Sequence, residues 1–340
     1  MKKYIVITVL VLMGLIAACA PTAAVPAEVE EEVAEEVVVE EVEETTSDDS
    51  ALPVAPSKKV AWIASNIANE FTTGMAANAE SIGADNGWEV TVFNPDSDLS
   101  KQISQIENAS SQEFAALIID PVAFDGMTAV LEDVTSNYDI PVITLHGSCS
   151  AQDLLTAFVA IDIQQGGVLK MEQVAKDLDG KGDIAIMTGT EGQTTAIFIT
   201  DGYNEVLPNY PDINVVFQGA GNWNADDATP LAENWLSSGK NLDAIVCNND
   251  GMALGVRAVL QAAGLTGEIK LYGLDATPEG RKAVRDGSMD ASIWVDSYAE
   301  FEAAFEIINA FYAGEPFEKE IMISPVLVTK DNIDELFPDD

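Results

Sequence analysis

At 340 residues, with 57 Asp and Glu against 16 Lys and Arg, the chain is too long for one compact core of ordinary size, and two lobes are expected. A formal charge of −41 argues against nucleic acid and anionic lipid headgroups as partners of its folded part. One histidine, three cysteines and the lack of a CxxC pair argue against a zinc site of the usual Cys and His type, so no metal or other cofactor is expected.

Lys2 and Lys3 precede an uncharged, mostly apolar run at 4–18, shorter than the roughly 20 residues that a membrane-spanning helix needs. Residues 1–18 therefore read as a signal peptide. The run ends LIAAC at 15–19, which resembles the bacterial lipoprotein signal, in which a cysteine after small residues is acylated and opens the mature chain. Cys19 would then carry lipid; an ordinary secretory signal is the alternative. Residues 28–50 hold twelve Asp and Glu and no Lys or Arg, with Pro21, Pro26, Pro53 and Pro56 around them. Such a stretch repels itself and cannot bury a core, so 19–57 reads as a lipidated cysteine and an acidic disordered tether, with a helical acidic spacer as the rival. Setting those twelve acids and the two lysines aside still leaves 45 acids against 14 bases.

From residue 58 a regular alternation begins. KKVAWIAS (58–65) is a β-rich run, and EFTTGMAANAESIGADNG (70–87) follows with helical spacing and a glycine stop. Further strands are expected at 89–94, 114–120, 140–145, 155–161, 183–188, 213–218, 243–248, 269–274 and 290–295. The helical patterns between and after them cover 98–111, 125–136, 164–178, 194–207, 225–238, 251–263, 278–286 and 298–313. Runs such as AALII and AIVC are apolar on both faces, as strands covered by helices on both sides must be. The fold class is therefore α/β, with parallel sheets.

In open sheets of this kind, ligands sit at the carboxyl ends of the strands. The residues there are polar more often than turns alone require: Asn66 and Asn69, Asp120, His146 and Ser148, Gln193, Asn222 and Trp223, Asn248 to Asp250, Asp275 and Asp296. Any one of them is explained by helix capping or turn formation; the collection points to a ligand that needs polar groups converging from several strand ends. No GxSxG elbow, Walker A sequence or GxGxxG follows a strand, and no catalytic residue is assigned. NPDSDLSKQ (94–102) lacks the glycine and distal glutamate of an EF-hand loop, and capping by Asp98 accounts for it. Cys149 and Cys247 allow either one disulfide or two separately buried thiols.

CNNDGMALGVRAVLQAAG (247–264), LYGLDATPEGRKAVRDG (271–287) and GNWNADDATPLAENWL (221–236) resemble, in order and spacing, the sugar-binding proteins of bacterial ABC importers in the ribose and galactose group, the type I periplasmic binding proteins. SKQISQIENASSQEFAALIIDPV (100–122) and IPVITL (140–145) resemble the same group, so the resemblance spans about 58–330. It implies two Rossmann-like lobes joined by three crossings: an N-terminal lobe of 58–160 plus 297–324 and a C-terminal lobe of 161–296 plus 325–340. It also implies a monomer that takes a small neutral carbohydrate or polyol between the lobes and hands it to an ABC permease with its ATPase, the membrane being reached through the lipid anchor. A receptor reporting a sugar-like signal to a membrane sensor is the alternative use.

Position by position, the resemblance makes Phe71 and Trp223 the aromatic plates for the two apolar faces of a sugar ring, and Asn249, Asp275 and Asp296 the partners of its hydroxyls. Asn69, Thr72, His146, Gln193 and Thr195 complete the expected ligand set, and Asp250 is expected to cap the next helix. The departures are His146 and Gly147, where many relatives carry Asp and Arg or another polar residue, Ile199 in place of a ligand-binding Arg, and Thr72 in place of a second Phe. A pocket without those arginines lacks strong charge-assisted donors, which puts ordinary ribose or glucose in doubt. His146 is read either as a ligand donor or as a turn residue facing solvent.

Overall fold

The computed structural model describes residues 52–338. The expectations for the signal peptide, Cys19 and most of the acidic tether lie outside the described residues.

Strand and helix alternate through almost the whole described chain: β1 (Lys59–Ile63), α1 (Glu70–Asp85), β2 (Glu89–Phe93), α2 (Leu99–Ser111), β3 (Ala116–Ile119), α3 (Thr128–Asn137), β4 (Val142–Leu145), β5 (Ala157–Ile161), α4 (Ile163–Asp177), β6 (Lys181–Thr188), α5 (Thr194–Val206) and β7 (Asp212–Ala220). There follow α6 (Ala225–Ser237), β8 (Ala244–Cys247), α7 (Asp250–Ala263), β9 (Lys270–Tyr272), α8 (Pro278–Asp286), β10 (Ala291–Trp294), α9 (Ser297–Ala313), β11 (Glu320–Ile323), β12 (Val326–Thr329) and α10 (Ile333–Leu336). Every strand read from the apolar runs is present. β11 and β12 were not expected: EIMI and VLVT are short edge strands, and EIMI alternates between exposed and half-buried positions, so no continuous apolar run marks it.

The strands form two sheets of six, ordered β11-β5-β4-β3-β1-β2 and β12-β10-β9-β8-β6-β7. All pairs are parallel except β10 with β12. β3, β4 and β8 are buried at every position, because helices cover both faces. In each sheet the order reverses once, between β1 and β3 and between β6 and β8, and such a reversal opens a crevice at the carboxyl ends of the strands.

The chain passes from the first sheet to the second after β5, returns after β10 through α9, and crosses again between β11 and β12. Asp162 and Asp296 stand at the first two crossings and cap the helices that follow, accepting from the backbone N–H of Gln165 and Ala299. In the first sheet's core Trp62 meets Phe301 edge to face at 5.3 Å. Tyr203 and Tyr272 are fully buried in the second. Gln102, also fully buried, ties strand ends together: its amide donates to the carbonyls of Ala64 and Asp120 and accepts from Val122 N–H.

α4 and α5 touch backbone to backbone through Gly167 and Gly202. A Cβ on Gly202 would overlap the Gln164 carbonyl and lie 2.8 Å from Val168 N, whereas one on Gly74 would meet nothing within 4 Å. We therefore expect Gly202→Ala to destabilise the fold by about 2 kcal/mol or more through overpacking, and Gly74→Ala, on the exposed face of α1, to stabilise it by roughly 0.5–1 kcal/mol. Urea unfolding of the two variants checks the pair.

Candidate functional site

The carboxyl ends of the two sheets face each other across a cavity of about 770 Å³, open solvent at its mouth included. Nine of the ten residues expected to meet a ligand line it: Asn69, Phe71, Thr72 and His146 from the first sheet's side, and Gln193, Thr195, Trp223, Asn249 and Asp275 from the second's. Asp296 does not. It lines a neighbouring recess with Glu70 and Trp294, because its carboxylate is committed to the first turn of α9.

Local sequence fixes each wall. Asn69 caps α1 by accepting from Thr72 N–H, and Thr72 Oγ1 accepts from Asn69 N–H in return, a capping box that largely consumes the polar atoms of both. Phe71, in the same turn, packs against the cores of both sheets and lies 5.4 Å from the His146 ring. Opposite, Asn222 and Trp223 are consecutive left-handed residues with φ of 49° and 66°. The Trp223 indole donates to Gln193 Oε1 and lies over Gly189, where any Cβ would overlap it. Gly189 thus supports the Trp223 wall, a role that composition could not single out.

Asn249 caps α7, accepting from Met252 N–H at 3.0 Å and donating to the Trp223 carbonyl at 3.2 Å. An amide keeps one further donor and one further acceptor after two such bonds. The expectation that Asp250 caps this helix is corrected: Asn249 does so, and Asp250 is fully buried below it. Asp250 accepts from Ser292 Oγ at 2.7 Å and Thr277 N–H at 2.9 Å, in a space left open by Gly273 and Gly280. Burial pushes its carboxyl up to about 7. Behind it Lys170, also fully buried, donates to the Cys247 carbonyl at 2.6 Å, and burial brings its amine down to about 7.

Asp275 holds φ at 120° and Ala276 at 51°, a backbone region that L residues rarely adopt and that surrounding structure must enforce. Its carboxyl is raised well above the carboxylate range by burial and then by the Asp250 charge, against the opposing pull of His146 and Lys170. Asp120, at the end of β3, accepts from Ser65 Oγ and N–H and also lines the cavity; burial raises it too, with His146 opposing. His146 has φ of 66° and lines the cavity rather than facing bulk solvent. Its Nδ1 lies 3.4 Å from Oε1 of Glu300, which is fully buried in the first turn of α9. Burial alone would depress the imidazole, but the charges of Glu300, Asp120 and Asp275 lift it to about 9.

No Lys or Arg lines the cavity. Cys149 and Cys247 are both buried free thiols. Among the described residues no cluster of three or more His, Cys, Asp or Glu is arranged to hold a metal ion. Asp120 carried the same strand-end signal as Asp275. Glu300 was signalled by its place on the apolar face of α9, among Ser297, Phe301, Ala304 and Ile308.

The family model described as periplasmic binding protein domain matches residues 60–316. The xylitol-binding protein of Mycolicibacterium smegmatis is 30% identical over 267 residues, 78% of this chain and 76% of that protein. The putative rhizopine-binding protein of Rhizobium meliloti is 31% identical over 255 residues, 73% and 82% of the two chains. Among solved structures, an ABC transporter solute binding protein from Bacillus halodurans with bound myo-inositol is 32% identical, with a TM-score of 0.78 over 83% of this chain and 98% of that one.

A histidine held at about 9 against an ordinary value near 6.5 stabilises the fold fully below pH 6.5 and loses that contribution as pH rises through 9. Between those limits the native state holds a proton that the unfolded chain releases. We expect wild-type stability to fall relative to His146→Gln by roughly 1 kcal/mol per pH unit across that window, as measured by urea unfolding at several pH values.

Proposed function

The chain belongs to the family of the periplasmic binding protein domain, and from that premise we propose that it captures a neutral polyol or sugar between its two lobes and delivers it to an ABC permease with its ATPase. The observation that carries this reading is Asp275: a carboxylate with no side-chain partner of its own, held at a strained φ and lining a cavity with two aromatic rings and no Lys or Arg. A carboxyl so placed exchanges hydrogen bonds with ligand hydroxyls, the spare donor and acceptor of Asn249 serve neighbouring hydroxyls, and Phe71 and Trp223 cover C–H faces. The relatives named for xylitol and solved with myo-inositol support the same class of ligand. No Lys or Arg among the described residues lines the cavity to pair with an anionic ligand.

On this reading the lobes are 58–160 plus 297–324 and 161–296 plus 325–340, and they close on the ligand about the three crossings. Closure removes water, strengthens each polar contact and gives the permease a loaded form distinct from the empty one. No bond in the ligand is made or broken, and the protein acts as a monomer. The LIAAC run supports attachment of lipid at Cys19, with the acidic segment as a tether from the membrane.

Thermal unfolding of the purified protein with xylitol, myo-inositol, ribose and glucuronate tests the reading. At least one of the three neutral compounds should stabilise by about 4 kcal/mol at a thousandfold excess over its Kd, glucuronate should not, and Asp275→Ala should abolish the effect. Stabilisation by glucuronate alone, or by none of the four, contradicts it.

A further inference from the structure

Glu300 is a costly residue where it stands. Its side chain is fully buried, and neither carboxylate oxygen has a hydrogen-bond partner beyond the 3.4 Å approach of His146 Nδ1. The same helical face carries Phe301, Ala304, Phe305 and Ile308, so an apolar side chain would serve the packing of α9 at least as well. The carboxylate is aimed instead at the one imidazole of the whole chain, and that imidazole lines the cavity.

We infer that Glu300 is a positioning residue for the ligand: it holds the His146 ring as a cation with Nδ1–H toward itself, so that Nε2–H becomes the charge-assisted donor the cavity otherwise lacks. The inference rests on the reading of this cavity as a polyol site. Nδ1 is buried away from solvent and faces Glu300, which leaves Nε2 as the nitrogen available to the cavity. The left-handed φ of His146 turns the ring off the end of β4, where its own N–H is tied to the Val159 carbonyl at 2.9 Å, and the Phe71 ring bounds it at 5.4 Å.

The charged groups facing the ring are Glu300 from α9, Asp120 from the end of β3 and Asp275 from the loop after β9. All three favour the cation, and Glu300 is the one that approaches Nδ1. A cationic N–H makes a stronger bond to a ligand oxygen than a neutral one. It therefore supplies from the first sheet's side the charge-assisted donor that Ile199, on the opposite wall, does not.

Because His146 is the only histidine, its Hε1 signal reports the protonation of this ring alone. In ligand-free wild-type protein it should titrate near 9, and in Glu300→Gln at or below 6.5, where burial and the weaker remaining charges leave it. Calorimetry with xylitol and myo-inositol supplies the second readout. For a probe that wild type binds equally at pH 6 and pH 8, Glu300→Gln should bind roughly tenfold more weakly at pH 8 and recover at pH 5.5. His146→Gln should bind weakly at every pH. Glu300→Leu, which removes the carboxylate without leaving a polar group behind, breaks the same pair and should still show the loss at pH 8.

A wild-type histidine titrating near 6.5, or full binding by Glu300→Leu at pH 8, overturns the assignment of Glu300 while leaving the polyol reading intact. A histidine titrating near 9 in a protein that binds neither probe nor ribose overturns the donor role together with that reading.

Discussion

Four carboxyls, Asp120, Asp250, Asp275 and Glu300, are withdrawn from water at the carboxyl ends of the two sheets' parallel strands, and among the described residues His146 and Lys170 are the basic groups that oppose their burial. Each buried charge costs several kcal/mol unless it is hydrogen-bonded or paired, and much of the local structure can be read as the means of meeting that cost. Ser65 donates twice to Asp120. Ser292 and the Thr277 amide satisfy Asp250, and Gly273 and Gly280 leave room for it. Asp275 has the backbone N–H of Asp250 as a partner. It lines the cavity at a strained backbone position, where a ligand's hydroxyls complete it on the proposed reading.

The rest of the fold brings these groups together. Both sheets reverse their order at equivalent places, so the same crevice is formed twice and the two crevices face each other. The aromatic walls are held by the protein's own contacts: Trp223 by Gly189, Gln193 and a pair of left-handed residues, Phe71 by contact with both cores. Preorganisation of this kind removes rotamer entropy from the cost of binding. Helix caps serve a second purpose here, since Asn249 holds the start of α7 while presenting its remaining donor and acceptor to the cavity.

Much of this was legible in the sequence because burial on two faces leaves a plain record. ALII and AIVC had to be central parallel strands, and the polar residue just beyond such a run had to sit at a strand end. That logic reached Asp275 and Asn249. It did not show which strand-end residues also cap helices: Asp296 occupies a strand end like Asp275, yet its carboxylate closes the first turn of α9, and Asn249 rather than Asp250 caps α7. β11 escaped because its exposed and half-buried positions alternate at a sheet edge without a continuous apolar run. Glu300 was written on the apolar face of α9 as a charge out of place, but only the packing of α9 behind β4 shows which ring it meets.

The central claim, that a neutral polyol lies between the sheets and is held by Asp275, is tested most directly by a crystal structure of the protein grown with whichever of xylitol and myo-inositol stabilises it more. The account predicts the molecule between Phe71 and Trp223, with adjacent hydroxyls on Asp275 and Asn249 and an oxygen within hydrogen-bond distance of His146 Nε2. A molecule ordered elsewhere with this cavity empty, or one seated here without touching Asp275, would contradict it.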